Sequence, residues 1–200
     1  MSRRLGILLS GRGSNFEAIA GNVRSGKLEC EIGFVFSNRP DAPGLHTAKA
    51  LGFPCGAIDS KGFDRETYDR QVVALLREHK VDLICLAGYM RLLSGYFVRE
   101  FSDRILNVHP SLLPAFPGLD AQYQAWAHGV KIAGCTVHFV DQDLDSGPII
   151  LQAPVPVLDT DTADTLADRI LKEEHRIYSD AISIVLGGKF RIEGRRVLLS

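Results

Sequence analysis

The pattern of apolar runs predicts an α/β chain, a doubly wound, mostly parallel, twisted sheet with an antiparallel C-terminal extension. Three observations carry this. Short apolar runs at residues 5–9, 32–36, 54–58 and 81–87 alternate with stretches of helical periodicity, the order of strands joined by helical crossovers. The run at 81–87 is apolar throughout, as a strand covered on both faces reads. After His109 the alternation stops. Strand-like runs at 135–140 and 149–157 lie too close together for a parallel crossover, so they suit an antiparallel pair. The arrangement is Rossmann-like.

Residues 5–9 follow two arginines and form the first buried strand. Ser10-Gly11-Arg12-Gly13-Ser14-Asn15 comes next, and then Phe16, Ile19, Ala20 and Val23 recur at helical spacing. Strand, glycine-rich turn and helix is the geometry that holds a phosphate. Glycine lets the main chain come close, and the helix N-terminus offers free N–H groups and a positive dipole end. Gly13, Ser14 and Asn15 are therefore candidate ligands, and Ser14 and Asn15 also suit a helix cap. A tight turn with no ligand is the plain alternative. As a dinucleotide fingerprint the turn fails at Phe16, which stands where a third glycine would. The second strand ends in Ser37-Asn38-Arg39 with no acid for a ribose hydroxyl. Ser and Arg there suit a 2′-phosphate, which keeps an NADP-dependent reductase as an alternative.

Residues 40–44 form a turn, followed by a helix to about residue 51. Tyr68, Val72, Leu75, Leu76 and His79 mark one face of a helix that starts near Asp64. Gly88-Tyr89-Met90-Arg91-Leu92-Leu93 sits just past the central strand, and a short helix runs to about residue 101. The most informative stretch is Ile105-Leu106-Asn107-Val108-His109-Pro110. Ile105, Asn107 and His109 share one strand face, and Leu106 and Val108 suit a buried one. An unpaired buried amide or imidazole costs roughly 1–3 kcal/mol, and Pro110 ends the strand. Two polar side chains thus stand at a C-terminal strand edge, where open α/β sheets bind ligands. Pairing with backbone groups is the plain alternative.

Residues 114–118 are irregular, and 121–127 form a short helix. Asp141, Asp143 and Asp145 crowd a loop closed by Gly147-Pro148. Pro154 and Pro156 place the 149–157 strand near an edge. The last helix starts near Asp161 or Thr162, with Ala163, Leu166, Ile170, Ile177, Ala181 and Ile184 as its buried stripe. Glu174 falls on that stripe, where a carboxylate must pair or face a cavity. Residues 190–193 and 196–199 are two short β-like pieces around a turn.

Composition bounds the function. With 200 residues and 46% apolar content the chain can build one full domain, here 1–200 with a phosphate-binding half at 1–110. A net charge of −1 without long single-sign runs gives no footprint for nucleic acid or an anionic membrane. Cys30, Cys55, Cys85 and Cys135 lie far apart, at no metal-ligand spacing, and suit reduced thiols in the cytoplasm. No signal peptide or membrane-spanning apolar run is read.

In chain order, Ser10-Gly11-Arg12-Gly13-Ser14-Asn15, Phe36-Ser37-Asn38, Leu86-Ala87-Gly88-Tyr89-Met90-Arg91, Asn107-Val108-His109-Pro110-Ser111-Leu112-Leu113-Pro114 and Asp145-Ser146-Gly147-Pro148 resemble the folate-dependent formyltransferases. The last two are together specific for formyl transfer from a tetrahydrofolate, and the first argues for a ribonucleotide substrate. The resemblance implies a transferase of de novo purine biosynthesis. The amine of glycinamide ribonucleotide attacks the formyl carbon of 10-formyltetrahydrofolate, the co-substrate, and a tetrahedral intermediate expels tetrahydrofolate. By position it implies Asn107, His109 and Asp145 as the catalytic set. Gly13, Ser14, Asn15 and Glu174 hold the ribonucleotide; Arg65, Met90, Arg91, Leu92, Leu93 and Asn107 line the folate site, with other folate-site loops in 111–200. No metal is implied, nor a nucleic-acid or membrane partner, and a homodimer stays open. Members often carry an extra terminal domain; this chain has no room for one, which favours the purine enzyme.

The residue types fit that chemistry. An amide donor and an imidazolium aimed at a developing oxyanion each contribute about 10²–10³ in rate, and a positioned acid–base pair about 10²–10⁴. A carboxylate beside His109 favours its protonated form. The turn between Pro110 and Pro117 points to a cis peptide at Leu113-Pro114. Two segments depart from the family: Leu119-Asp120-Ala121-Gln122 stands where some members carry histidines, and Leu171 where some carry Lys or Gln. His138 is read as structural. A hydrolase releasing formate from the same folate is the remaining alternative, because the same trio can serve water; a non-catalytic folate carrier would not need Asp145.

Overall fold

The computed structural model describes residues 3–199, and the chain divides into two compact units after Leu106. The division falls inside the strand that carries Asn107 and His109, four residues before the boundary expected at residue 110.

The first unit contains β1 (Arg4–Leu9), α1 (Ser14–Arg24), β2 (Glu31–Ser37), α2 (Pro43–Ala50), β3 (Cys55–Ala57), α3 (Arg65–Glu78), β4 (Leu83–Leu86) and α4 (Gly95–Glu100), and it runs into β5 (Ile105–His109). The strand order is β3-β2-β1-β4-β5. β1 is parallel to β2 and β4, and β2 to β3. With a strand on each side and both faces covered, β1 buries Leu5, Ile7, Leu8 and Leu9 completely. The register sets Leu9 opposite Ser37 and Leu8 opposite Leu86, so the loops after β1, β2 and β4 leave from one edge. Asp64 caps α3 through the Thr67 N–H at 3.0 Å, as the predicted start requires.

The second unit adds α5 (Ala121–Ala127), β6 (Ile132–Phe139), β7 (Ile149–Pro156), α6 (Ala163–Gly187), β8 (Phe190–Glu193) and β9 (Arg196–Leu199), in the order β5-β6-β7-β9-β8. β6 and β7 are antiparallel, as are β8 and β9, while β7 meets β9 in parallel. α6 packs on β6 and β7 through Leu166, Ile170, Ile177 and Ala181, with Ile182 rather than Ile184 completing the stripe. Thr162 and Thr165 close its N-terminus as a capping box. The expected fold class holds: parallel strands with helical crossovers first, antiparallel pairs last.

Three expectations are corrected. β7 lies between β6 and β9, not at an edge. Its pairing with β9 is confined to Ile149 and Arg196, so Pro154 and Pro156 stand where no β9 carbonyl asks for their missing N–H. Strand β5 is buried on both faces apart from a half-buried Asn107; His109 is only 5% exposed. The N-cap of α1 is Gly13 in the left-handed region, not Ser14 or Asn15, which form the first helical positions. Leu113-Pro114 is cis.

Candidate active site

In the first unit the candidate site is made of main chain. Gly13 has φ 78°, and a Cβ there would lie 3.1 Å from Leu9 Cδ2. Only glycine takes that conformation without strain. Among the described residues no side-chain hydrogen bond caps α1, and a helix N-terminus presents backbone N–H groups that its own turns do not use. Gly44, read only as a turn residue, lies in the first turn of α2 against this loop. Its N–H donates to Gly11 O at 3.0 Å, and a Cβ would sit 3.0 Å from Arg12 O. A cavity of about 410 Å³ opens here, lined by residues 10–15, Asn38, Arg39, Ala87, Gly88 and Met90. The predicted Gly13, Ser14 and Asn15 are thus brought together with Met90.

A residue that the sequence did not single out ties these loops. The buried Ser10 hydroxyl donates to Asn38 Oδ1 at 2.6 Å and accepts Met90 N–H at 2.8 Å, while Ser10 N–H donates to Gly88 O at 3.0 Å. In sequence it is marked only by its place at the end of β1 and as the first residue of a motif that carries the family resemblance. Arg91 lays its guanidinium over the Tyr68 ring at 4.5 Å. Leu92 is 54% exposed, and the backbone groups of Leu92 and Leu93 take no hydrogen bond among the described residues. Arg65 is exposed at the start of α3 and does not line the cavity. The residues suited to a 2′-phosphate are engaged: Arg39 pairs with Asp41 at 3.0 Å, and Ser37 Oγ accepts Arg39 N–H at 3.0 Å. Ser37 is also fully buried, out of reach of a 2′-phosphate, which argues against the reductase.

In the second unit the candidate site is made of titratable side chains. His109 Nε2 lies 2.8 Å from Phe116 O, and Nδ1 lies 3.4 Å from Asp145 Oδ2. Both are oxygens that accept, so only the doubly protonated ring donates to both. Asp145 Oδ2 also accepts Gly118 N–H at 2.8 Å. Asp145 itself has φ 50°, as Phe116 and Asp120 have φ 51° and 55°. Left-handed conformations at non-glycine residues are strained and cluster at sites that hold a side chain in place. Gly147 lets this loop close, since a Cβ there would fall 1.9 Å from Phe139 O.

His138, expected to be structural, joins the same cluster. Its Nδ1 donates to Phe139 O at 2.8 Å, which leaves Nε2 as an acceptor for the Asn107 amide N–H at 3.3 Å. That contact fixes which way the amide points. Nε2 also lies 3.8 Å from Asp145 Oδ1. Burial pushes the His138 pKa below its ordinary value, against the Phe139 carbonyl and Asp145, which raise it. Thr136 Oγ1 holds the turn beyond β5, donating to Ser111 O at 2.7 Å and accepting Leu113 N–H at 3.0 Å. Glu174 is 6% exposed on the apolar face of α6, as predicted. It lies close enough to Cys135 to act on it: the thiol is pushed up to about 12, first by burial and then by the charge of Glu174. Among the described residues no group of three or more His, Cys, Asp or Glu could hold a metal ion, and no helix is long and apolar enough to cross a membrane.

Comparison with known proteins bears on this geometry. The formyl transferase family matches residues 3–182. Glycinamide ribonucleotide transformylase 1 from Symbiobacterium toebii superposes with a TM-score of 0.96 at 51% identity, covering 99% of this chain and 94% of that one. The phosphoribosylglycinamide formyltransferase of Escherichia coli (strain K12) is 41% identical over 93% of this chain and 88% of that protein. The trifunctional purine biosynthetic protein adenosine-3 of Drosophila melanogaster is 45% identical over 93% of this chain, which spans only 14% of that protein's length. With the family match running through both units and across the strand that carries Asn107 and His109, the chain belongs to the formyl transferase family.

Proposed function

We propose that the chain transfers the formyl group of 10-formyltetrahydrofolate to the amine of glycinamide ribonucleotide, a step of de novo purine biosynthesis, in the cytoplasm. The observation that carries this is the second unit's cluster, in which His109 faces Asp145 at 3.4 Å and Asn107 is oriented by His138. The names of the relatives support the ribonucleotide acceptor and the formyl group transferred to it. The amine nitrogen attacks the formyl carbon, and the carbonyl π pair moves onto oxygen. The Asn107 amide donates to that oxyanion, and the His109 ring does so once its Nε2 N–H turns from Phe116 O to the oxyanion. On collapse the C=O bond re-forms, the bond from carbon to the folate nitrogen breaks, and that nitrogen takes a proton. Asp145 holds His109 and, with it, carries the proton that the amine gives up.

We infer the remaining roles from the residue types and from the family resemblance. Gly13, Ser14 and Asn15 hold the ribonucleotide phosphate, where main chain and helix N-terminus favour an anion. Glu174 receives the substrate's hydroxyl or amine donors. Met90, Arg91, Leu92 and Leu93 take the folate, with Arg65 at its outer end. A homodimer, left open by the sequence, is decided by sedimentation velocity.

Product analysis tests the reading. With both substrates, formylated ribonucleotide and tetrahydrofolate should appear in equal amounts. Formate released at the same rate without the ribonucleotide would establish a hydrolase instead, and NADPH fluorescence titration would reveal a reductase.

A further inference from the structure

Among the described residues is a buried carboxylate that the chemistry above leaves unused. Asp69, on α3, is fully buried, and its Oδ2 accepts Ser94 N–H at 2.6 Å, a charge-assisted bond. Its Oδ1 has no hydrogen-bond partner among the described residues. Burial raises the Asp69 pKa; the Ser94 hydrogen bonds and then the guanidinium charges of Arg91 and Arg65 act against that. An apolar side chain would fill this place in α3 without the desolvation of a charge. What the carboxylate adds is a fixed grip on the residue that ends the loop after β4.

Ser94 is itself a junction. Its hydroxyl caps α4 through Phe97 N–H at 3.2 Å, so the grip sets the start of that helix too. The other end of the loop is gripped at Met90 N–H by the Ser10 hydroxyl. Between the two, Arg91 rests on the ring of Tyr68, the neighbour of Asp69 in α3, and the backbone of Leu92 and Leu93 forms no hydrogen bond among the described residues. The loop is therefore tied at both ends, and its middle presents unused N–H and C=O groups.

We propose that Asp69 is a positioning residue for the folate: by holding Ser94 N–H, it fixes the main chain of Leu92 and Leu93 in the line that a planar, multiply hydrogen-bonding ring requires. This rests on the reading of Met90–Leu93 as the folate site.

The test uses Asp69→Ala, the near-isosteric Asp69→Asn and, as a control, Leu92→Pro, all in the full chain. Loss of a hydrogen bond to a charged group should raise the KM for 10-formyltetrahydrofolate about tenfold or more in Asp69→Ala. The KM for the ribonucleotide and kcat should stay within about twofold, the split expected when only folate binding is touched. Amide exchange at Ser94 should speed up. Asp69→Asn, which keeps an acceptor, should restore most of the folate KM. Should Asp69→Ala fail to fold, the folate KM and Ser94 exchange of Asp69→Asn decide, since an acceptor without charge should sit between wild type and loss. Equal change in both KM values, or an unchanged folate KM despite faster Ser94 exchange, overturns the inference. If Leu92→Pro raises the folate KM and Asp69→Ala does not, the inference fails while the folate reading stands. If neither raises it, the folate reading fails and the inference with it.

Discussion

Each unit carries a cluster that can act on a ligand, and the two clusters are built from opposite materials. In the first, the groups offered to a ligand are backbone N–H groups at a left-handed glycine and a loop tied by Ser10. In the second they are side chains whose ring nitrogens and carboxylate oxygens face each other. Backbone groups bind an anion or a planar ring without changing protonation, which suits holding a substrate. Side chains that gain and lose protons suit the reaction itself. Substitutions in the second unit's cluster of His109, Asp145 and Asn107 should therefore act on kcat, and those at the first unit's backbone groups on KM.

The largest effect is expected at His109. His109→Ala removes a donor and half of the proton-carrying pair, so kcat should fall by about 10³ or more, with both KM values little changed. Asp145→Asn keeps an acceptor for Gly118 N–H but removes the charge facing His109, and kcat should fall by about 10²–10³. Single-turnover kinetics separate this from slow product release. A variant that loses affinity in place of turnover would break the contrast between the units.

Glu174→Gln sharpens the contrast from inside the second unit, because Glu174 is proposed to bind, not to react. Loss of a charge-assisted bond should raise the ribonucleotide KM about tenfold and leave the folate KM and the melting temperature nearly unchanged. A large fall in melting temperature with both KM values intact would make Glu174 a structural residue. Gly13→Ala is the counterpart in the first unit. The left-handed conformation costs a residue with a Cβ about 1–2 kcal/mol, so the loop should shift and the ribonucleotide KM rise several-fold with kcat retained.

What could be read from sequence divides along a related line. The β1 turn and the polar end of β5 were legible because each is local: strand periodicity, glycines and a proline fall within a dozen residues. The ties between loops were not, because Ser10 meets Met90 across 80 residues and Asp69 meets Ser94 across 25, and no local pattern marks such a partner. His138 was placed on its strand correctly, but its contact with Asn107 exists only through the pairing of strands. The prolines of β7 suggested an edge for the same reason. Proline reports a missing N–H, and only the register tells that β9 does not reach it.

The smallest expected effect concerns His138 and reads the second unit through stability. Its ring donates from Nδ1 to Phe139 O and accepts at Nε2 from Asn107, which describes a neutral imidazole. Burial holds its pKa below the ordinary value in the fold, whereas the unfolded ring titrates near about 6.5. As pH falls through that value, the unfolded chain takes up the proton first and so binds more protons than the folded one. Stability therefore falls with falling pH. The contribution is complete above the unfolded pKa and is lost below it, toward the lower folded value. His138→Gln removes this titration while keeping an amide oxygen that can accept from Asn107. Between about pH 7 and about pH 5 its melting temperature should decline less steeply than that of the wild type. Its kcat should fall less than that of Asp145→Asn, because His138 acts on the oxyanion only by orienting Asn107. Parallel decline of the two melting curves would mean that the His138 ring does not titrate between the folded and unfolded states in this range.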